Sequence, residues 1–230
     1  MSLENSIAID GPAGAGKSTV ARMLASALGY RYVSSGDLYR ALALEVIRRG
    51  VDPQDEAAVT QTARTSSMAL EPSPSVGQRT TLNGEDVTAL IRAAAVNSVV
   101  SPVSVYPEVR ELLVAAQREI ARESDVVMDG RDIGTVVLPE AVHKFYLTAS
   151  AAERARRRRS DYIRQGAPDS YDEVLREIVE RDRIDSTREA SPLKAAEDAV
   201  VIDCTEIGPE EVVERMLCLL GRSRCCSMGS

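Results

Sequence analysis

Residues 11–18 read Gly-Pro-Ala-Gly-Ala-Gly-Lys-Ser and fit the pattern G-x-x-x-x-G-K-[ST], in which backbone N–H groups surround phosphate oxygens. At average residue usage, a random chain of this length would match roughly one time in a hundred, so we interpret the match as a phosphate-binding loop. Such a loop lies between a buried strand and a helix, whose N-terminal end adds a positive dipole. The chain provides both, because residues 6–10 are largely apolar and residues 18–28 have helical periodicity.

The side chains of this loop have separate predicted roles. Lys17 would neutralise charge on the β- and γ-phosphates of ATP, and the Ser18 hydroxyl would bind Mg²⁺. The residues predicted to contact ATP are Gly11, Gly14, Gly16, Lys17, Ser18 and Thr19. The alternative is an incidental glycine-rich turn, which leaves the flanking strand and helix unexplained.

Strands and helices alternate along much of the chain. Four further apolar runs have the length of buried strands, at residues 30–34, 125–129, 144–147 and 199–203. A β-α-β-α order predicts an α/β fold with a parallel five-stranded sheet flanked by helices. Residues 63–100 break this order, because they hold a Pro/Ser/Gly cluster and the hairpin signal Asn83-Gly84. We interpret them as a small insert with hairpin content.

A second motif, Asp129-Gly130-Arg131-Asp132, directly follows one of the predicted strands. An acidic residue at the carboxyl end of a buried strand beside a phosphate loop is suited to Mg²⁺, so Asp129 is the second predicted metal residue, directly or through water. The alternative is a turn in which Asp129 accepts backbone N–H bonds. Arg131 and Asp132 would face the crevice where open α/β sheets bind ligands.

Three arginine-containing segments predict a second anion site. Residues 35–40 begin the second helix and would bring Ser35 and Arg40 to a phosphate, although a plain helix cap is the alternative. Residues 154–159 and 181–188 are rich in arginine. Arginines on a closing lid stabilise the charge of a transferring phosphoryl group. Such runs also form solvated helix faces paired with acidic residues, which is the other interpretation.

Charge and hydropathy limit the partners. The 230-residue chain has a net charge of −7, so we expect no nucleic-acid polymer as a partner. No apolar run approaches the ~18 residues of a transmembrane helix. The N-terminus enters the fold too early for a targeting peptide. We therefore expect a cytoplasmic protein without membrane contact, and a monomer because its helices are amphipathic.

Together these segments resemble the bacterial-type cytidylate kinases, which are P-loop nucleoside monophosphate kinases. The resemblance runs from about residue 7 to about residue 220, and its most specific part is Gly-Arg-Asp-Ile-Gly-Thr-Val-Val at residues 130–137. It implies a kinase core at residues 1–62 and 101–224, a helical lid at about 154–166 and a monophosphate-binding insert at 63–100. We expect residues 225–230 to form a disordered tail.

The resemblance also implies which residues bind the acceptor. The cytosine ring would be held by Ser101, Arg110 and Asp132. The acceptor phosphate would be bound by Ser35, Arg40, Arg131 and Arg188. The ribose would be recognised by Arg181 and Asp185.

The expected activity is phosphorylation of CMP and dCMP by ATP with Mg²⁺. The residues expected to act on the moving phosphoryl group are Lys17, Arg131, Arg157 and Arg188. One alternative is a P-loop kinase for another small acceptor, such as AMP, UMP or shikimate. A second alternative, from a different class, is a regulatory protein that switches with bound ATP or GTP. The absence of the guanine-binding motif N-K-x-D argues against a GTP switch.

Overall fold

The computed structural model describes residues 5–73, 77–164 and 170–222. The strands are β1 (Ile7–Asp10), β2 (Arg31–Ser34), β3 (Met68–Ser73), β4 (Gly77–Leu82), β5 (Glu85–Asp86), β6 (Val126–Asp129), β7 (His143–Thr148) and β8 (Val200–Asp203). The α-helices are α1 (Lys17–Leu28), α2 (Gly36–Arg48), α3 (Glu56–Arg64), α4 (Ala94–Val103), α5 (Pro107–Glu123), α6 (Ala151–Arg164), α7 (Tyr171–Thr187) and α8 (Pro209–Leu219). A 3₁₀ helix spans Leu90–Arg92 and a π-helix spans Ile133–Val137.

The main sheet has five strands in the order β2-β6-β1-β7-β8, and every neighbouring pair is parallel. The predicted five-stranded parallel sheet is therefore confirmed. Asp129 at the end of β6 is level with Ile9 of β1 and Ser34 of β2. The carboxyl ends of these three strands thus meet at one edge of the sheet, where α/β folds bind ligands.

Both faces of the sheet are covered by helices. Along β1, Ile7 and Ile9 pack into a cluster with α1 and α8, while Ala8 packs into a cluster with α2 and α5. All four residues of β1 and of β6 are buried, as expected for central parallel strands. With one Phe and no Trp in the chain, these cores are almost entirely aliphatic. This packing holds the strand ends, and the loops that follow them, at fixed positions.

The segment predicted as an insert contains a separate antiparallel sheet of β3, β4 and β5. Asn83 and Gly84 connect β4 to β5 with positive φ angles of 51° and 84°, as the hairpin signal predicts. The boundaries drawn from the sequence, after residues 62 and 100, fall inside α3 and α4. The division into core and insert therefore stays a prediction.

The predicted lid, at about residues 154–166, lies mostly in α6, which packs against α7 through Ala155, Val174 and Ile178. Two predicted segments lie outside the described residues: the end of the lid, at residues 165 and 166, and the tail at residues 225–230. Among the described residues, no helix has both the length and the apolar character needed to cross a membrane.

Candidate functional site

A cleft of about 790 Å³ opens at the carboxyl edge of the main sheet. It is bounded by the loops after β1 and β6, the start of α2, the 3₁₀ helix and the lid helices. Most of the site residues predicted from the sequence line it, namely Gly14, Gly16, Lys17, Ser18, Thr19, Ser35, Arg40, Arg110, Asp129, Arg131, Asp132, Arg157, Arg181, Asp185 and Arg188. Gly11 and Ser101 do not. The structure therefore brings the fifteen cleft-lining residues together at one place, and the role of each one stays a prediction.

Glycine is required in the loop after β1 for steric reasons. Gly11 has a φ of 145°, and a Cβ there would lie 2.0 Å from the carbonyl oxygen of Leu147 on β7. Gly14 has a φ of 79°, and its Cβ would lie 3.0 Å from that of Arg154 on α6. These contacts show that Gly11 shapes the loop against β7 without lining the cleft, while Gly14 allows the lid helix to approach closely.

Lys17 begins α1 and is buried at the bottom of the loop. Its Nζ donates a hydrogen bond to the carbonyl oxygen of Pro12 at 2.8 Å. Burial, and then the charge of Arg131, lower the pKa of Lys17 well below its usual value, although Asp129 and Asp10 oppose this. A buried ammonium group beside an arginine is stabilised by an anion, so this position favours a polyphosphate ligand.

The two predicted metal residues lie in direct contact. The Ser18 hydroxyl donates to Oδ2 of Asp129 at 2.8 Å, and the Tyr32 hydroxyl donates to Oδ1 at 3.1 Å. Burial raises the pKa of Asp129, which a nearby cation would reverse. Hydroxyl and carboxylate oxygens are hard ligands of the kind Mg²⁺ prefers, and Mg²⁺ usually keeps several waters. This pair of residues therefore fits Mg²⁺, while no cluster of three or more metal-ligating side chains occurs in the described part of the chain.

Asp10 does not line the cleft, but it has a positioning role that the sequence interpretation missed. Its carboxylate accepts hydrogen bonds from the backbone N–H groups of Ile133 at 2.8 Å and Gly134 at 2.7 Å. Burial raises the pKa of Asp10 to about 6, and these two bonds oppose the rise. Asp10 immediately precedes the phosphate loop, and Ile133 immediately follows Asp132. The bonds therefore fix the turn that carries Asp132 relative to the loop.

Arg110 and Asp132, which also line the cleft, form a buried ion pair. Nη2 of Arg110 donates to Oδ2 of Asp132, and Nη1 donates to the carbonyl oxygen of Ser104 at 2.9 Å. The guanidinium also lies 5.3 Å from the centre of the Tyr39 ring. A donor and an acceptor thus lie side by side and buried, an arrangement that can read the edge of a base.

The serine expected beside this ion pair is not on the cleft wall. Ser101 is buried within α4, and its carbonyl oxygen accepts a hydrogen bond from the Ser104 hydroxyl at 2.9 Å. Ser104, one turn later, lines the cleft. The residues that line the cleft therefore include Ser104, which sequence reasoning missed, and not Ser101, whose role beside the base stays a prediction.

Three arginines that line the cleft surround Asp185. Arg131 donates to Oδ2 of Asp185 at 2.9 Å, and the guanidinium nitrogens of Arg181 and Arg188 lie 3.9 and 3.8 Å from the carboxylate. Burial alone would raise the pKa of Asp185, but the three arginines lower it below its usual value. With three cations and one anion, this group has surplus positive charge for an anionic ligand.

Arg40 on α2 and Ser35, which directly precedes that helix, are the other two residues of the predicted acceptor-phosphate site. Nη1 of Arg40 donates to Oδ1 of Asn97 and to the carbonyl oxygen of Ile91 at 3.2 Å. The Ser35 hydroxyl donates to the carbonyl oxygen of Asp129 at 2.9 Å. Both residues line the cleft, as the sequence predicts.

The lid helix α6 borders the cleft above the phosphate loop. Nη1 and Nη2 of Arg154 pair with both oxygens of Asp182 on α7, and Nη1 also donates to the carbonyl oxygen of Ala13 in the loop. Arg157 donates to Glu153 at 3.0 Å and to the carbonyl oxygen of Cys204, and it lines the cleft. Arg154 therefore has a structural role here, and Arg157 is the better placed of the two to meet a nucleotide.

Residues 7–222 match the family described as cytidylate kinase. The chain belongs to the cytidylate kinase family. Membership makes it a phosphotransferase and implies ATP as its co-substrate.

Curated cytidylate kinases from several bacteria support this family assignment. The protein from Caldanaerobacter subterraneus subsp. tengcongensis is 52% identical over 91% of this chain and 92% of its own length. The cytidylate kinase from Geobacillus kaustophilus is 51% identical over 92% and 94%, and that from Rhodococcus jostii is 47% identical over 92% of both chains. Among solved structures, a gluconokinase from Sinorhizobium meliloti 1021 aligns with a TM-score of 0.48 and 16% identity over 96% of this chain and 94% of that one.

Proposed function

We propose that this cytidylate kinase family member transfers the γ-phosphoryl group of ATP to CMP and dCMP, giving ADP and the corresponding diphosphates. The observation that carries the proposal is a single cleft lined by both the phosphate loop and the Arg110–Asp132 pair. The arginines around Asp185 line the same cleft. We place the enzyme in pyrimidine nucleotide metabolism, as a cytoplasmic monomer.

The reaction is a direct in-line transfer. An oxygen of the acceptor phosphate forms a bond to the γ-phosphorus as the bond to the β,γ-bridging oxygen breaks, and ADP leaves with that electron pair. Lys17 and Arg131 stabilise the charge on the moving group, with Arg157 from the lid and Arg188 from the acceptor side. Ser18 and Asp129 would hold Mg²⁺, directly or through water, and the bound ion would add to the neutralisation of the ATP phosphates. Positioning and charge neutralisation thus account for catalysis without a covalent intermediate.

The base pocket explains a preference for cytosine. The cytosine N4 amine donates a hydrogen bond that the Asp132 carboxylate accepts, while Arg110 donates to N3 or O2. Uracil carries a carbonyl oxygen in place of the amine. The Asp132 carboxylate and this oxygen are both acceptors, so no hydrogen bond can form between them. A mismatch of this kind costs about 1–3 kcal/mol, which corresponds to a roughly 10- to 100-fold selectivity.

Water must be kept from the γ-phosphate, and the lid provides the means. Glycine at position 14 lets α6 approach the loop. Movement of α6 toward the nucleotide would bring the arginines of this helix closer to its phosphates. Closure would exclude water and suppress hydrolysis of ATP.

A coupled assay of ADP release across several acceptors tests the proposed function. We expect CMP and dCMP to be the best acceptors, with UMP at least about tenfold poorer in kcat/KM. A tenfold preference for AMP, UMP or shikimate would instead favour a different small-molecule kinase, as in the first alternative. ADP release that no acceptor stimulates would favour the nucleotide switch.

Replacing Asp132 with Asn tests the base pocket. The introduced asparagine presents an amide that can donate to the uracil carbonyl, so the CMP/UMP ratio of kcat/KM is expected to fall by roughly 10- to 100-fold. The KM for ATP is expected to stay within about twofold, because the Asp132 carboxylate pairs with Arg110 and not with a residue of the phosphate loop. Asp172→Asn, on the exposed start of α7, is the matched control. An unchanged CMP/UMP ratio in a folded Asp132→Asn enzyme would show that this carboxylate does not read the base.

A further inference from the structure

Arg92 lines the cleft, although the sequence interpretation gave it no role. It ends the 3₁₀ helix that follows β5, within the segment predicted as the insert. Its side chain is half-exposed, with 49% of its surface accessible, and it faces the same cleft as Arg40. The neighbouring Ile91 supplies the carbonyl oxygen that accepts a hydrogen bond from Arg40. Arg92 and the predicted phosphate-binding Arg40 are therefore held by the same short turn.

Asp37 sets the position of Arg92. The carboxylate of Asp37 is buried in the first turn of α2, and its Oδ2 accepts a hydrogen bond from Nη2 of Arg92 at 2.6 Å. The same oxygen accepts from Nε2 of Gln78 on β4 at 3.0 Å, and the Gln78 amide oxygen accepts from the backbone N–H of Ser34. This network connects the antiparallel sheet to the edge of the main sheet beside the acceptor site.

The Arg92 guanidinium keeps binding capacity for a second partner. An arginine has five N–H donors in a planar fork. Among the described residues, only Nη2 of Arg92 donates a hydrogen bond, and the recipient is Asp37. The Nε–H and Nη1–H groups remain available to phosphate oxygens, which match this fork geometry well.

The charges nearby favour an anion at this position. Burial, and then the charges of Arg181, Arg92 and Arg158, lower the pKa of Arg40 to about 9. These guanidinium groups come from α7, the 3₁₀ helix and the lid helix, so separate elements bring them together. A dianionic phosphate among them would relieve their mutual repulsion.

We propose that Arg92 is an additional ligand of the acceptor phosphate, supplied by the insert and oriented by Asp37. The proposal rests on the proposed function, since it takes the acceptor to be a nucleoside monophosphate. The alternative is a purely structural role, in which Arg92 only fastens the insert to α2.

The affinities of CMP and cytidine separate these two roles, because cytidine has the base and ribose without the phosphate. In calorimetric titrations of the full chain, Arg92→Gln is expected to weaken CMP binding by roughly 10- to 100-fold, as for a lost hydrogen bond to a charged group. Cytidine binding is expected to change by less than about twofold. The KM for CMP should rise in parallel, with the KM for ATP unchanged.

Arg79→Gln is the matched control, because Arg79 lies on β4, pairs with Glu71 and does not line the cleft. It is expected to leave both affinities unchanged. Arg92→Lys, which keeps the charge but not the fork, is expected to restore part of the CMP affinity. Equal weakening of CMP and cytidine, or unchanged CMP affinity in Arg92→Gln, would overturn the proposal. Failure of the unaltered enzyme to bind CMP would instead overturn the proposed function itself.

Discussion

Replacing Lys17 with Met is expected to lower kcat by roughly 10³-fold, the loss typical of removing one preorganised charge from a transition state. The Lys17 ammonium lies at the bottom of the phosphate loop and donates a hydrogen bond to a carbonyl oxygen, and the charge of Arg131 lowers the pKa of Lys17. Methionine has a similar length and shape but no charge. Charge that develops on the γ-phosphoryl oxygens would therefore lose its closest compensating group on the ATP side.

The effect of Lys17→Met on stability distinguishes catalysis from folding. Because burial lowers the pKa of Lys17, its charged form is disfavoured in the folded protein. Removing that charge is therefore expected to leave the thermal midpoint unchanged or to raise it. Lys194→Met, on the exposed surface, is the control for kcat. Turnover within tenfold of the unaltered enzyme would contradict the role assigned to Lys17.

Replacing Arg131 with Lys is expected to lower kcat/KM for CMP by roughly 10²- to 10³-fold. Arg131 donates to Asp185 on the acceptor side, and its charge lowers the pKa of Lys17 on the ATP side. It therefore acts on a residue of each predicted anion site, and we expect it to contact phosphate oxygens from both substrates. Lysine keeps the positive charge but has a single ammonium group in place of a planar guanidinium with several N–H donors. It therefore cannot bind Asp185 and a phosphate at the same time.

Separate measurements for the two substrates locate the effect of Arg131→Lys. A transition-state role predicts that kcat falls, while equilibrium affinities for ATP and for CMP each change less than kcat does. Arg215→Lys, in an exposed pair with Glu211 on α8, is the control. If the whole loss appeared as weaker CMP binding, Arg131 would be an acceptor ligand without a part in the transfer.

The phosphate loop was the most predictable part of the site, for a physical reason. Its glycines, its lysine and its serine are contiguous, so one local pattern contains the whole cradle. The strands of the main sheet were equally easy to predict, because parallel strands covered on both faces have continuous apolar sequences. Helix α4 was missed, since it is apolar on most sides and contains Pro102 in its last turns. Helix α3 was missed because nine residues are too short to give a clear period.

Residues whose roles depend on distant partners could not be found from the sequence. Asp10 bonds to a backbone group 123 positions away, and Tyr32 bonds to a carboxylate 97 positions away. No local pattern encodes such pairings. Ser104 shows the same limit at short range. It directly follows α4 and lines the cleft, whereas Ser101, inside the helix and only three positions away, does not. The role of Arg92 could not be predicted for a related reason, because Arg92 meets Asp37 only after the intervening hairpin has folded.

The binding of one bisubstrate molecule, adenosine joined to cytidine through five phosphates, tests most directly whether one cleft holds both nucleotides face to face. Titration calorimetry is expected to show one molecule bound per chain, and the saturated protein is expected to bind neither ATP nor CMP. Binding of CMP to the saturated protein with unchanged affinity would place the two nucleotides in separate sites and contradict direct transfer.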